Sequence, residues 1–109
     1  MVKLLSSQIL VNEAGDIIMG SGRLAILESV DRTGSINQTA KELKMSYKSV
    51  WSKIKSTETH FGKPIVRSDR RDGTSLTPEG RKLAQQFKQL KKKCIQADDR
   101  IFSQIFNPE

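Results

Sequence analysis

Residues 40–54 read AKELKMSYKSVWSKI, and the spacing of their apolar side chains describes two helices joined by a tight turn. Ala40 is small enough to let the helices cross closely. Leu43 and Met45 fill the angle between them, and Val50 and Ile54 pin the second helix onto the first. Ser46 stands where an N-cap hydroxyl accepts a hydrogen bond from an orphan backbone N–H. The second helix is expected from about residue 47 to residue 61, with Val50, Ile54, Thr57 and Phe61 on one buried stripe and Gly62 as its stop. A helical wheel then turns Lys48, Ser52, Lys55 and Thr59 outward, with Ser49 and Ser56 on one flank and Trp51 and Glu58 on the other. An ordinary solvated face mixes Glu with Lys. This one offers lysines, small hydroxyls, Tyr47 and the chain's only tryptophan. Hydroxyls let a helix sit deep in the major groove, and lysines neutralise phosphates or reach guanine acceptors.

Upstream, SINQTAKELK starts the first of these two helices, and Ser35 followed by Gln38 fits a reciprocal capping box. Ile36, Ala40 and Leu43 form its buried face. RLAILESVDRTG places Leu24, Leu27 and Val30 at helical spacing and ends on Gly34, which suits a left-handed cap. Nearer the N-terminus, residues 9–11 and 17–19 are short β-branched runs around Gly15, so a hairpin is expected.

Downstream, PIVRSDRRDGTSLT describes a second hairpin, with strands at 65–67 and 75–77 and an Asp72-Gly73 turn. Arg67, Arg70 and Arg71 cluster on it and suit phosphates or a narrow minor groove. TPEG opens the last helix, with Thr77 as N-cap, Pro78 in the first turn and Glu79 facing the positive end of the helix dipole. It can run to Phe106, about 40 Å at 1.5 Å per residue. Leu83, Phe87, Leu90, Cys94, Ala97 and Ile101 repeat in alternating steps of four and three, a heptad seam. Ile95, Phe102, Ile105 and Phe106 add more apolar surface than one small domain needs. A two-fold homodimer is therefore expected, with Leu83, Phe87, Leu90, Cys94, Ile101, Phe102 and Ile105 at its interface.

The fold class is mainly α with small β: a winged helix-turn-helix with an N-terminal hairpin, a wing hairpin and a long C-terminal dimerisation helix. Its 109 residues are one small domain, comprising an N-terminal hairpin (1–20), a winged-helix core (22–77) and the long helix (78–106). A 36% share of hydrophobic residues suffices for one core, and a net charge of +7 favours a polyanionic partner. Cys94 is the only cysteine, so no intrachain disulfide or zinc-finger spacing exists, and no metal or cofactor is expected. Cys94 reads as a small packed residue. The only histidine, His60, reads as a surface or dipole-facing residue, and Lys91, Lys92 and Lys93 as a solvated helix side. No acid–base or nucleophile constellation is visible, so no enzyme is expected. Asn12, Glu13 and Asp16 break up the N-terminal apolar run, which argues against a signal peptide, and no run is long enough to span a membrane. A cytoplasmic protein without a membrane partner is expected.

GSINQTAKELKMSYKSVWSKIKSTETHFGKPIVRSDRRDGTSLTPEGRKL resembles the N-terminal DNA-binding domain of ModE-type molybdate-responsive transcriptional regulators, and MSYKSVW is its most specific block. LTPEG is similar to the wing exit of LysR-type regulators, and the first hairpin and the GSG before the first helix also fit the ModE pattern. The resemblance implies a winged helix-turn-helix that dimerises through its long terminal helix and binds promoter DNA. It implies a recognition helix at 46–61, with Tyr47, Lys48, Ser49 and Ser52 nearest the bases and Ser35 and Gln38 on phosphates. Ser46, Trp51, Lys55 and the three wing arginines complete the expected DNA-binding set. Full-length ModE-type proteins carry a C-terminal oxyanion-binding module, whereas this sequence stops at QIFNPE. The expectation is a double-stranded-DNA regulator without that module, which leaves room for a separate effector-binding partner protein. An RNA-binding or architectural basic protein is one alternative, although only 6% of the residues are aromatic and available to stack on bases. A winged-helix protein-interaction module is another, and Lys48 and Lys55 argue against its neutral or acidic face.

Overall fold

The computed structural model describes residues 1–107, and its elements follow the chain as β1 (Leu10–Val11), β2 (Ile17–Met19), α1 (Ser21–Thr33), α2 (Ile36–Leu43), α3 (Tyr47–Phe61), β3 (Val66–Asp69), β4 (Gly73–Leu76) and α4 (Pro78–Phe106). The two hairpins, β1–β2 and β3–β4, are separate antiparallel sheets. This is the mainly helical winged helix-turn-helix expected.

Local chemistry sets most helix ends. The hydroxyls of Ser35, Ser46 and Thr77 accept from the backbone N–H groups of Gln38, Ser49 and Gly80. Gly34 and Gly62 take left-handed conformations at the ends of α1 and α3. The turn between α2 and α3 departs from this pattern: Lys44 is left-handed at φ 55°, a strain of about 1–2 kcal/mol for a residue with a Cβ. The backbone N–H of Met45 donates to the Ala40 carbonyl at 2.9 Å and holds that turn closed. The capping box is only half formed. Ser35 caps Gln38, but the Ser35 N–H lies 3.3 Å from the Thr33 hydroxyl, which takes the place expected of the Gln38 side chain.

The core joins Leu24, Ile26, Leu27 and Val30 of α1, Ile36 and Ala40 of α2, Val50 and Ile54 of α3, Ile65, Val66 and Leu76 of the wing, and Leu83, Ala84 and Phe87 of α4. Leu43, Met45, Trp51 and Phe61 pack against it half-buried. Arg81 with Asp31 (2.9 Å) and Lys88 with Glu28 (3.0 Å) add ion pairs between α4 and α1.

The strands sit differently from expectation. β1 begins at Leu10 rather than residue 9, and a register shift lies between Leu10 and Val11. In the wing, Asp69 pairs directly with Gly73, so the turn is Arg70 to Asp72 rather than Asp72-Gly73. The Asp69 carboxylate accepts from the Arg71 N–H at 2.7 Å and the Asp72 N–H at 3.4 Å, fixing that turn. Thr77 lies just beyond β4: its N–H still donates to the Ile65 carbonyl at 2.9 Å, but its hydroxyl caps α4, which starts at the next residue.

Two glycines are sites of close approach. A Cβ at Gly73 would lie 2.5 Å from the Gly34 carbonyl oxygen, which accepts from the Thr74 N–H at 2.9 Å. A Cβ at Gly80 would collide with the Ile65 carbonyl. Gly80→Ala should therefore destabilise the fold by about 1–3 kcal/mol despite alanine's better helix propensity, measured as a lower urea midpoint.

At the far end of α1, the Arg32 guanidinium donates to both Glu42 oxygens at 2.6 and 2.8 Å, and the Ser29 hydroxyl donates at 2.6 Å. The Arg32 and Ser29 hydrogen bonds hold the Glu42 carboxyl at about 2, down from 4.5. A depressed carboxylate contributes stability above its ordinary value and loses it as pH falls toward the folded value. Between pH 4.5 and about 2, Glu42→Gln should thus lose stability less steeply than the wild type in denaturant titrations across pH.

Candidate nucleic-acid interface

Burial of Val50, Ile54 and Thr57 to 2% exposure or less turns the opposite face of α3 to solvent. Tyr47, Lys48, Ser49, Ser52 and Lys55 are all exposed there. Ser46 is exposed too, but its hydroxyl is occupied: it accepts from the Ser49 N–H at 3.0 Å and donates to the Ser49 Oγ at 2.9 Å. The Ser49 hydroxyl keeps its own proton free to donate outward. Trp51 is half-buried, and the Lys55 ammonium lies 4.6 Å from its ring centroid, a cation–π contact. Lys55 also pairs with Glu58 at 3.0 Å. Lys48, by contrast, forms no ion pair among the described residues.

Ser35 is half-buried and Gln38 exposed at the start of α2. The bond from the Thr74 N–H to the Gly34 carbonyl places Ser35 close to the start of β4, beside the wing turn. Arg67, Arg70 and Arg71 are exposed on the wing and unpaired among the described residues. The Asp69 carboxylate between them accepts from backbone N–H groups and forms no ion pair with any of the three among the described residues.

The other flank of α3 belongs to the N-terminal hairpin. Thr57 donates to the Ile18 carbonyl at 2.9 Å, and the Arg23 guanidinium donates to Thr57 at 3.0 Å, to the Ile17 carbonyl at 3.2 Å and to Ser56 at 3.4 Å. Burial lowers the Arg23 pKa, and its partners are neutral oxygens. His60, expected as a surface or dipole-facing residue, is half-buried in the last turn of α3 with its Nδ1 3.3 Å from the Ile17 carbonyl. Asn12 reaches the His60 carbonyl at 3.4 Å. Arg23, Asn12 and His60 thus seat the hairpin on the helix, a role that sequence spacing did not reveal because the partners lie over thirty residues apart or more. The described residues contain no group of three or more His, Cys, Asp or Glu side chains able to hold a metal ion.

The expected dimer surface needs a correction. Leu83 and Phe87 are 6% and 0% exposed within the domain's own core, so neither can meet a partner. Leu90, Ile101 and Ile105 are 41%, 53% and 67% exposed, with Cys94 and Phe102 half-buried. Phe102 stacks on Phe106 with ring centroids 4.8 Å apart. Leu4 lines a shallow hollow with this same distal surface.

The sequence profile of the bacterial regulatory helix-turn-helix proteins of the lysR family matches residues 22–81. The chain is 31% identical over 87 residues to the molybdenum transport protein ModE of Azotobacter vinelandii, covering 76% of this chain and 32% of that protein. It is 36% identical over 69 residues to the molybdenum-pterin-binding protein MopB of Rhodobacter capsulatus, covering 60% of this chain and 26% of that one. The chain therefore spans a third or less of the length of these relatives. In fold it is similar to the DNA-binding domain of CbnR, solved in complex with DNA, with a TM-score of 0.65 at 19% identity over 78% of this chain and 97% of that one. The matched span runs from the first turn of α1 through the wing to the first turn of α4, and the chain belongs to the bacterial regulatory helix-turn-helix proteins of the LysR family.

Proposed function

We propose that this chain is a homodimeric, sequence-specific regulator of transcription that binds double-stranded DNA in the cytoplasm, with residues 1–109 acting as one DNA-binding unit. The observation that carries the reading is the outward face of α3, where Lys48 and Ser52 stand exposed one turn apart with their polar groups uncommitted among the described residues. In this reading α3 enters the major groove N-terminus first, as recognition helices do. Tyr47, Lys48, Ser49 and Ser52 meet base edges. Ser35 and Gln38 at the start of α2, with Arg67, Arg70 and Arg71 on the wing, bind phosphates and hold the register. The net charge of +7 supports a polyanionic partner, and the CbnR domain of the same fold was solved on DNA. The role is binding rather than catalysis. No helix among the described residues is long and apolar enough to cross a membrane.

Homodimerisation is supported by the distal half of α4. Leu90, Ile101, Ile105 and Phe106 are each more than two-fifths exposed, a patch that a two-fold mate would cover. Such a dimer addresses two half-sites about 34 Å, or a multiple of that, apart along the duplex. Phe102→Glu with Ile105→Glu should yield folded monomers by sedimentation, because both positions lie outside the domain core. A wild-type chain that is monomeric at micromolar concentration overturns the dimer.

Selection of DNA from a random pool by the purified protein supplies an operator, and binding to operator and scrambled duplex at two salt concentrations then separates the roles. Lys48→Ala and Ser52→Ala should each narrow the gap between the two duplexes by about 1–3 kcal/mol. Arg70→Ala should weaken both duplexes alike and flatten the salt dependence by about 0.9 for each phosphate that the arginine no longer neutralises. Single-stranded RNA should compete poorly. A full specificity ratio in both α3 variants would remove α3 as the reading element.

A further inference from the structure

Glu58 lies on the last full turn of α3 with its side chain 15% exposed. Its Oε2 accepts hydrogen bonds from the backbone N–H groups of Ile65 at 2.8 Å and Val66 at 3.3 Å. Its Oε1 accepts from the Lys55 ammonium at 3.0 Å. Burial pushes the carboxyl up, but the Ile65 N–H, Lys55 and the Val66 N–H together outweigh it and keep the group below its ordinary value, hence charged. One carboxylate therefore joins the wing's first strand to the recognition helix and neutralises a lysine on that helix's outward face. No wing arginine is neutralised in this way among the described residues.

We propose that Glu58 is a positioning residue of the DNA interface: it holds the wing at a set angle to α3 and withholds the Lys55 charge from DNA phosphates. The inference rests on the DNA-binding reading above. A lysine that already has a carboxylate partner, and whose ammonium sits over the Trp51 ring, releases no counterion from DNA until it leaves both. Attraction to DNA of any sequence is lowered by one cation per protomer, while the interactions of Lys48 and Ser52 are untouched.

Glu58→Gln tests the two roles separately, because the amide oxygen still accepts from Ile65 and Val66 while the negative charge is gone. Binding of the full chain to scrambled duplex should strengthen, and its salt dependence should steepen by about 0.9 per protomer as Lys55 reaches a phosphate. That extra slope should vanish in the Lys55→Gln, Glu58→Gln double variant. Lys55→Gln alone, at an exposed position that the fold tolerates, should leave the slope unchanged. Glu58→Ala removes one of the wing's anchors, so Arg70→Ala should lower the slope less in that background than in the wild type. An unchanged slope in folded Glu58→Gln overturns the withheld-charge role. So does a slope lower by about 0.9 in Lys55→Gln, since Lys55 would then already be on a phosphate. A full Arg70→Ala effect in the Glu58→Ala background overturns the positioning role. Failure of the wild type to bind any duplex in a salt-dependent way overturns the DNA reading and this inference together, whereas normal wild-type binding with unaltered variants overturns this inference alone.

Discussion

The backbone of Ile65 is where α3, the wing and α4 are held together. Its N–H donates to Glu58 of α3, its carbonyl accepts from the Thr77 N–H, and Gly80 of α4 presses against that carbonyl. Its side chain is fully buried. Wing hairpins of four residues a strand have little stability of their own, and this one borrows its geometry from these contacts. The Thr74 N–H to Gly34 carbonyl bond adds a second anchor at the α1–α2 corner. A wing so anchored can present arginines at a constant distance from α3, which a free hairpin could not.

The long helix gives only part of its apolar surface to the core. Leu83, Ala84 and Phe87 serve the domain core, with Gly80 permitting the close approach that starts the packing. Beyond Phe87 the same periodicity continues without a core to fill, and the molecule extends to 58 Å along its longest axis while measuring only 31 and 21 Å across. The last core residue of this seam, Phe87, falls next to Lys88, which pairs with Glu28 in the middle of α1.

Charge is also partitioned. Three arginines are committed within the chain: Arg32 to Glu42, Arg81 to Asp31, and Arg23 to Thr57 and the Ile17 carbonyl. Among the described residues, cations on the outward face of α3 and on the wing are unpaired, apart from Lys55. Exposed ion pairs contribute little to stability.

Helix positions and the outward face of α3 were legible from residues alone, because caps, glycine stops and apolar stripes act between neighbours three or four apart. Ser46, Thr77, Gly34 and Gly62 sit where their local chemistry requires, and burying Val50 and Ile54 leaves Lys48 and Ser52 no direction but outward. The same locality misled at Gln38, whose place at the Ser35 N–H is taken by Thr33, and at Asp72-Gly73, a turn pattern overruled by the Asp69 carboxylate and by the Gly34 contact. Whatever depends on partners distant in sequence was decided by tertiary structure. Gly80 looks like an ordinary first-turn residue until Ile65 is placed against it, Glu58 like a flanking surface charge until the wing folds back, and Leu83 and Phe87 like dimer contacts until α1 packs over them. A heptad fixes which side of a helix is apolar, but only the three-dimensional arrangement of the other elements determines how far along that side the core of the same chain reaches.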